Sequence, residues 1–198
     1  MLGALDGIVR LVRGPKPYGI LKISVGGELA EGEVQPRWIS VLRREPGGYL
    51  DLLNLLRWAR DDAQLRGVLV CLDGVRVGWA RSQGLRRALL DLRAAGKRVW
   101  VHVTQGGLHE YLIASAGERV SLSPSGTLDV AGLSAEATFF LGTLEKLGIQ
   151  ADLVQVGEYK AAGEPFLRRD MSPQHREMVE SLVDDLYQQV VAAVSEAR

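Results

Sequence analysis

The stretch VGEYKAAGEPFLRRDMSP, residues 156–173, sets Lys160 between Tyr159 and two alanines, ahead of Glu164, Arg168, Arg169 and Asp170. A lysine can act as a general base only when neutral, which requires its pKa to fall several units from ~10.4 through desolvation or a neighbouring cation. Ala161, Ala162 and Gly163 are small enough for close packing around the amine. Glu158 and Glu164 oppose this if their carboxylates turn toward it, since an anion holds the ammonium charged. Taken alone, Lys160 reads as a solvated surface residue, as most lysines do. Glu164, Arg168, Arg169 and Asp170 read as a local salt-bridge cluster that orders the loop, a role suited to the fixed donor fork of arginine.

The remaining reactive residue types offer less. His102, His109 and His175 are isolated, with no His-x-x-x-His pair and no cysteines at metal spacing, so no metal is expected. Each is more simply a strand, loop or helix-surface residue. Cys71 lies in the apolar run GVLVCLD and reads as a small buried hydrophobe. Ser121, Ser123 and Ser125 in VSLSPSG supply the polar turn that a strand exit needs. No glycine-rich dinucleotide or phosphate loop follows any apolar run, so no cofactor is expected. With Lys plus Arg and Asp plus Glu at 24 each, no net field favours a polyanion, and nucleic acid is not expected as a partner.

These residues must be positioned by elements that periodicity reveals. YLDLLNLLRWARDD spaces Leu52, Leu55, Leu56 and Ala59 as a helix does, and GVLVCLD follows as a short apolar strand. SQGLRRALLDLRAAG predicts a helix with a serine start and a capping Gly96, then KRVWVHV a strand, GLHEYLIASAG a helix and ERVSLSP a strand. SAEATFFLGTLEKLG predicts another helix, and ADLVQVG a strand that delivers Lys160 at its carboxyl end, where α/β folds place their chemistry. The last helix has Ser172 as N-cap and Pro173 at its first position, with Met178, Leu182, Leu186 and Val190 four apart. Such alternation predicts an α/β domain with a mainly parallel sheet covered by helices. The 198 residues, 46% of them hydrophobic, suffice for one core.

The whole segment VGEYKAAGEPFLRRDMSPQHRE closely resembles the lysine segment of the signal peptide peptidase A family, also called protease IV. There a lysine after a strand is followed by a Glu-Pro-Phe-like turn, an arginine-and-acid pair, and Met-Ser-Pro opening a helix. DLLNLLRWARDDAQLRGVLVCLD, LRAAGKRVWVHV and YLIASAGERVSLSPSGTLDVAGL are similar to the family's preceding segments, so the likeness covers residues 18–198. It implies a ClpP- and crotonase-like α/β spiral over 18–198 and a serine peptidase using a Ser-Lys dyad, with Lys160 as general base.

One position departs from that pattern. Single-unit members carry the nucleophile in a Ser-Gly-Gly-x-Tyr-like turn, which here reads TQGGLHEYLIAS, with the serine position falling near Leu108. Gln105 to Glu110 include no serine, and Thr104 lies several residues too early. Double-length members are similar to two tandem copies, with lysine in the first half and serine in the second. This chain resembles such a first half, and its final helical pattern runs to Arg198 without a stop signal. The partner so implied is a carboxyl-terminal half carrying the serine and the oxyanion donors.

The same resemblance implies homo-oligomeric rings, a peptide substrate such as a cleaved signal peptide, and a membrane-associated, extracytoplasmic setting. No run approaches the ~20 apolar residues that span a bilayer. Residues 1–17 form an amphipathic segment, with Leu2, Leu5, Ile8, Val9 and Val12 on one helical face. Peripheral membrane contact and docking on protein both fit it, and docking suits a segment this short and weakly charged. Two other roles remain open: a non-catalytic half that builds a ring, and a crotonase-like acyl-ligand domain, for which no phosphate-binding lysine cluster is present.

Overall fold

The computed structural model describes residues 19–30, 48–153 and 157–197. They belong to two units, residues 1–131 with 193–198, and residues 132–192. The amphipathic segment 1–17 lies outside the described residues.

In the first unit, strands β1 (Gly19–Glu28), β2 (Leu65–Arg76), β3 (Arg98–Gly107) and β4 (Arg119–Leu122) lie side by side in chain order, all parallel. A short β5 (Leu128–Asp129), not anticipated from the sequence, pairs with the end of β3. Alternation sets the buried face. Leu21, Val68 and Val99 form one row across the sheet, Ile23, Val70 and Val101 the next, and Val25, Leu72 and Val103 the third. All nine are buried. Mostly branched side chains on a pleated surface pack in this way. The opposite face carries Ser24, Cys71, His102 and Ser121 in one row and is only partly covered.

Helices α1 (Tyr49–Asp61), α2 (Trp79–Ala94) and α3 (Leu108–Ala114) cross between the strands. α1 buries Leu52, Leu56 and Ala59, and α2 buries Leu85, Leu89 and Leu92, one stripe each at helical spacing. Each fully buried leucine is worth about 1.5–3 kcal/mol. α2 starts at Trp79, a turn earlier than its sequence suggests. Ser82 is therefore inside the helix rather than at its start, its hydroxyl bonded to the Gly78 carbonyl at 3.1 Å. The helix ends where Gly96 takes φ +78°. The Gly96 amide donates to Arg93 O at 2.9 Å and the Lys97 amide to Leu92 O at 3.0 Å, the paired closure that favours glycine. Lys97 Nζ then donates to the carbonyls of Asp62 (2.6 Å) and Leu65 (2.7 Å), fastening the turn after α1. Arg86 fastens the other end: its Nε donates to Ser115 Oγ at 3.1 Å and its Nη2 to Ala193 O at 2.7 Å.

The second unit contains α4 (Leu141–Lys146), a 3₁₀ turn (Ala161–Gly163), α5 (Glu164–Leu167) and the start of α6 (Pro173–Ala197). Two expectations change here. The helix foreseen over SAEATFFLGTLEKLG shrinks to α4, because Phe140 is captured by tertiary contacts: its amide donates to Pro165 O at 2.6 Å and its ring stacks on Phe166 at 5.9 Å. Its glycine end holds, with Gly148 at φ +68°. The strand foreseen in ADLVQVG is absent over 151–153, and 154–156 lie outside the described residues. α6 begins as its sequence requires, the Ser172 hydroxyl accepting the His175 amide at 3.1 Å. No helix among the described residues is long and apolar enough to cross a membrane.

Candidate active-site segment

Gly157, at φ +98°, turns the chain so that the Lys160 amide donates to Gly157 O at 3.3 Å. Lys160 then leads into the 3₁₀ turn, where a Cβ on Gly163 would lie 3.2 Å from Leu153 Cδ1. The small residues after the lysine thus serve close packing of the backbone. The Lys160 side chain itself is exposed and has no ion-pair partner among the described residues. The dry surroundings that a neutral amine requires are not supplied by the described residues.

Several residues on the carboxyl side of Lys160 have partners. Glu164 is 5% exposed. Its Oε2 accepts the Ser172 amide at 3.1 Å and His175 Nδ1 at 2.9 Å. Pro165 O and the Phe166 ring hold Phe140. Arg169 pairs with Glu145 of α4, and Arg168 Nη2 lies 3.5 Å from Asp170 Oδ1. Of the four residues read from the sequence as one salt-bridge cluster, only Arg168 and Asp170 pair with each other. Arg169 reaches α4, and Glu164 pairs with His175, whose ring also meets Phe139 at 6.4 Å. Nothing in the linear spacing of Glu164 and His175 signals their contact; the Ser172 cap alone was readable.

Burial pushes the Glu164 carboxyl up, but hydrogen bonds from the Ser172 hydroxyl and amide and from His175 outweigh it and leave the group below its ordinary value. A depressed carboxylate pKa contributes stability that is complete above the unfolded value of ~4.3 and is lost as pH falls through the folded one. Thermal unfolding of Glu164→Gln should therefore begin below that of the native protein at neutral pH, and the gap should close in the acid range below the ordinary carboxylate pKa. A gap unchanged down to pH 3 would contradict the clamp.

In the first unit, Leu108 is the first residue of α3, and Gly107 precedes it as N-cap. Glu110 is buried and its Oε2 accepts the Gly107 amide at 2.8 Å. Gly106 must be glycine because a Cβ there would lie 2.6 Å from Glu110 Cγ. Thr104 is exposed on β3. His109 is more than a surface residue: its Nδ1 lies 3.0 Å from Ser82 Oγ and its ring 4.6 Å from that of Trp79. Because the Ser82 hydroxyl donates to Gly78 O, it accepts from His109, which fixes the Nδ1–H tautomer. His109, Arg76, Arg81 and Glu28 line an open groove of about 490 Å³. His102 pairs with Ser121 at 2.9 Å, and Ser123 closes the strand exit through Gly126 N at 2.9 Å. Cys71 is half-buried on the partly covered sheet face. The described residues contain no cluster able to hold a metal ion.

The sequence profile of peptidase family S49 matches residues 91–198, a span that includes Leu108 and Lys160. The chloroplastic serine protease SPPA of Arabidopsis thaliana is 31% identical over 136 residues, 69% of this chain and 20% of that protein. Protease 4 of Salmonella typhi is 31% identical over 159 residues, covering 79% of this chain and 25% of its own length. Protease 4 of Haemophilus influenzae is 28% identical over 189 residues, or 91% and 31% respectively. The chain thus spans 20–31% of the length of these curated relatives.

Proposed function

Because the chain belongs to peptidase family S49, with the mainly parallel α/β fold of the ClpP and crotonase type, we propose that it serves serine-type peptide hydrolysis by supplying Lys160 as general base. The observation that carries this reading is an exposed amine with no ion-pair partner among the described residues. On the same segment Glu164, Pro165, Phe166, Arg168 and Arg169 each have a partner. A lysine kept only as an ion-pair partner would have a carboxylate against it. Glu164, the nearest buried one in sequence, faces Ser172 and His175 instead.

A serine from another polypeptide segment attacks the substrate carbonyl while Lys160 Nζ takes the hydroxyl proton, then returns it to the departing amine. That segment, a carboxyl-terminal half in our reading, also covers the amine and removes the water that keeps it charged. Substrates in this reading are cleaved signal peptides or similar short hydrophobic peptides, processed at a membrane surface outside the cytoplasm by a homo-oligomer. Family likeness supports the substrate and the setting. Steady-state hydrolysis of a fluorogenic hydrophobic peptide by Lys160→Ala in the assembled enzyme tests the assignment, and full turnover would overturn it.

The turn around Leu108 supports placing the nucleophile elsewhere. An amide beside a serine there would be needed by the oxyanion, yet the Gly107 amide is taken by the Glu110 carboxylate. Leu108→Ser introduced into this chain is expected to leave peptide hydrolysis at background. Measurable turnover from that single change would show that a complete site is already present.

A further inference from the structure

We propose that Glu164 is the positioning residue for Lys160, acting through Ser172 and His175 without touching the amine or the substrate; this inference rests on Lys160 being the base. Three residues separate Lys160 from Glu164, and the tight 3₁₀ turn that they form leaves little slack. A displacement of Glu164 is therefore passed to the lysine backbone.

The Ser172 amide and His175 Nδ1 both donate to Glu164 Oε2, at 3.1 and 2.9 Å. The Ser172 hydroxyl in turn accepts the His175 amide at 3.1 Å. Each partner thus holds another in place, and the carboxylate lies at the first turn of a 25-residue helix, where unpaired amides favour an anion. Pro165 and Phe166 add the hold on Phe140. The arrangement has a second effect. A carboxylate turned toward Lys160 would keep the ammonium charged, and this one is committed elsewhere.

The test uses the assembled peptidase and compares Glu164→Gln, Glu164→Asp and Ser172→Ala with Lys160→Ala. Glutamine keeps the size and one acceptor but sets an NH₂ against donors. A misplacement on the scale of an ångström should lower kcat on the order of 10- to 100-fold while KM stays within about threefold. Amide hydrogen exchange over residues 160–175, read by mass spectrometry, should quicken in the same variant. Aspartate should recover part of kcat, and Ser172→Ala should fall between. Should Glu164→Gln fail to fold, Ser172→Ala carries the test, with a loss of about 3- to 10-fold for the hydrogen bond that its hydroxyl accepts from the His175 amide. Native kcat in Glu164→Gln beside an inactive Lys160→Ala overturns this inference alone. Lost kcat with unchanged exchange also overturns it, because the carboxylate would then act directly. Turnover retained by Lys160→Ala removes the base assignment instead, and with it the need for a positioning residue.

Discussion

Lys160→Ala is expected to lower kcat for peptide hydrolysis by the assembled enzyme on the order of 10²- to 10⁴-fold, the usual contribution of a positioned general base. Assembly should be unaffected, because the side chain is exposed and makes no ion pair among the described residues. Lys160→Arg separates the base from a charge-only role. A guanidinium keeps the positive charge but does not lose its proton in a protein. If the amine serves by its charge, arginine retains most of the activity; if it serves by accepting a proton, arginine is as inactive as alanine. Purification by size exclusion, followed by steady-state kinetics on one fluorogenic peptide, gives both answers. Substantial turnover by the arginine variant would refute base catalysis at this position.

The second large effect concerns stability. Arg86→Ala should destabilise the first unit by about 2–4 kcal/mol, since it removes hydrogen bonds from a charged, largely buried donor. The side chain is 13% exposed and meets Ser115 Oγ, the Ala193 carbonyl and the Glu196 carboxylate. The Glu196 contact, at 3.3 Å with that residue 71% exposed, adds little. Glu196→Ala should therefore be nearly neutral. Urea unfolding checks both, with a lower midpoint at constant slope for Arg86→Ala. Equal losses from the two substitutions would assign the effect to the surface ion pair.

The parallel sheet was legible because its strands bury one face with branched residues, and GVLVCLD and KRVWVHV carry that alternation openly. Glycines with forced conformations were equally plain: Gly96 and Gly148 end helices where the sequence placed them. Beyond Gly132 the reading weakens, for a physical reason. SAEATFF has a helical pattern, yet the Pro165 carbonyl and the Phe166 ring hold Phe140 outside the helix, and tertiary contacts of that kind leave no periodic trace. Lys160 was found through the likeness of its whole segment, not through any property of a single lysine. The dry surroundings that the proposed role requires were not legible among the described residues, where the side chain meets solvent. The partners of His109 and His175 were not legible because each comes from a different helix.

The strand order of the first unit equals the order of synthesis. β1, α1 and β2 can close as a crossover before β3 has left the ribosome, and each later strand adds to an edge already formed. Arg86 is the exception. Its carbonyl acceptor lies 107 residues further along the chain, so the guanidinium stays hydrated while those residues are made and is dehydrated only once Ala193 arrives. The nascent sheet can therefore form early, whereas the last clasp on it is timed by the far end of α6.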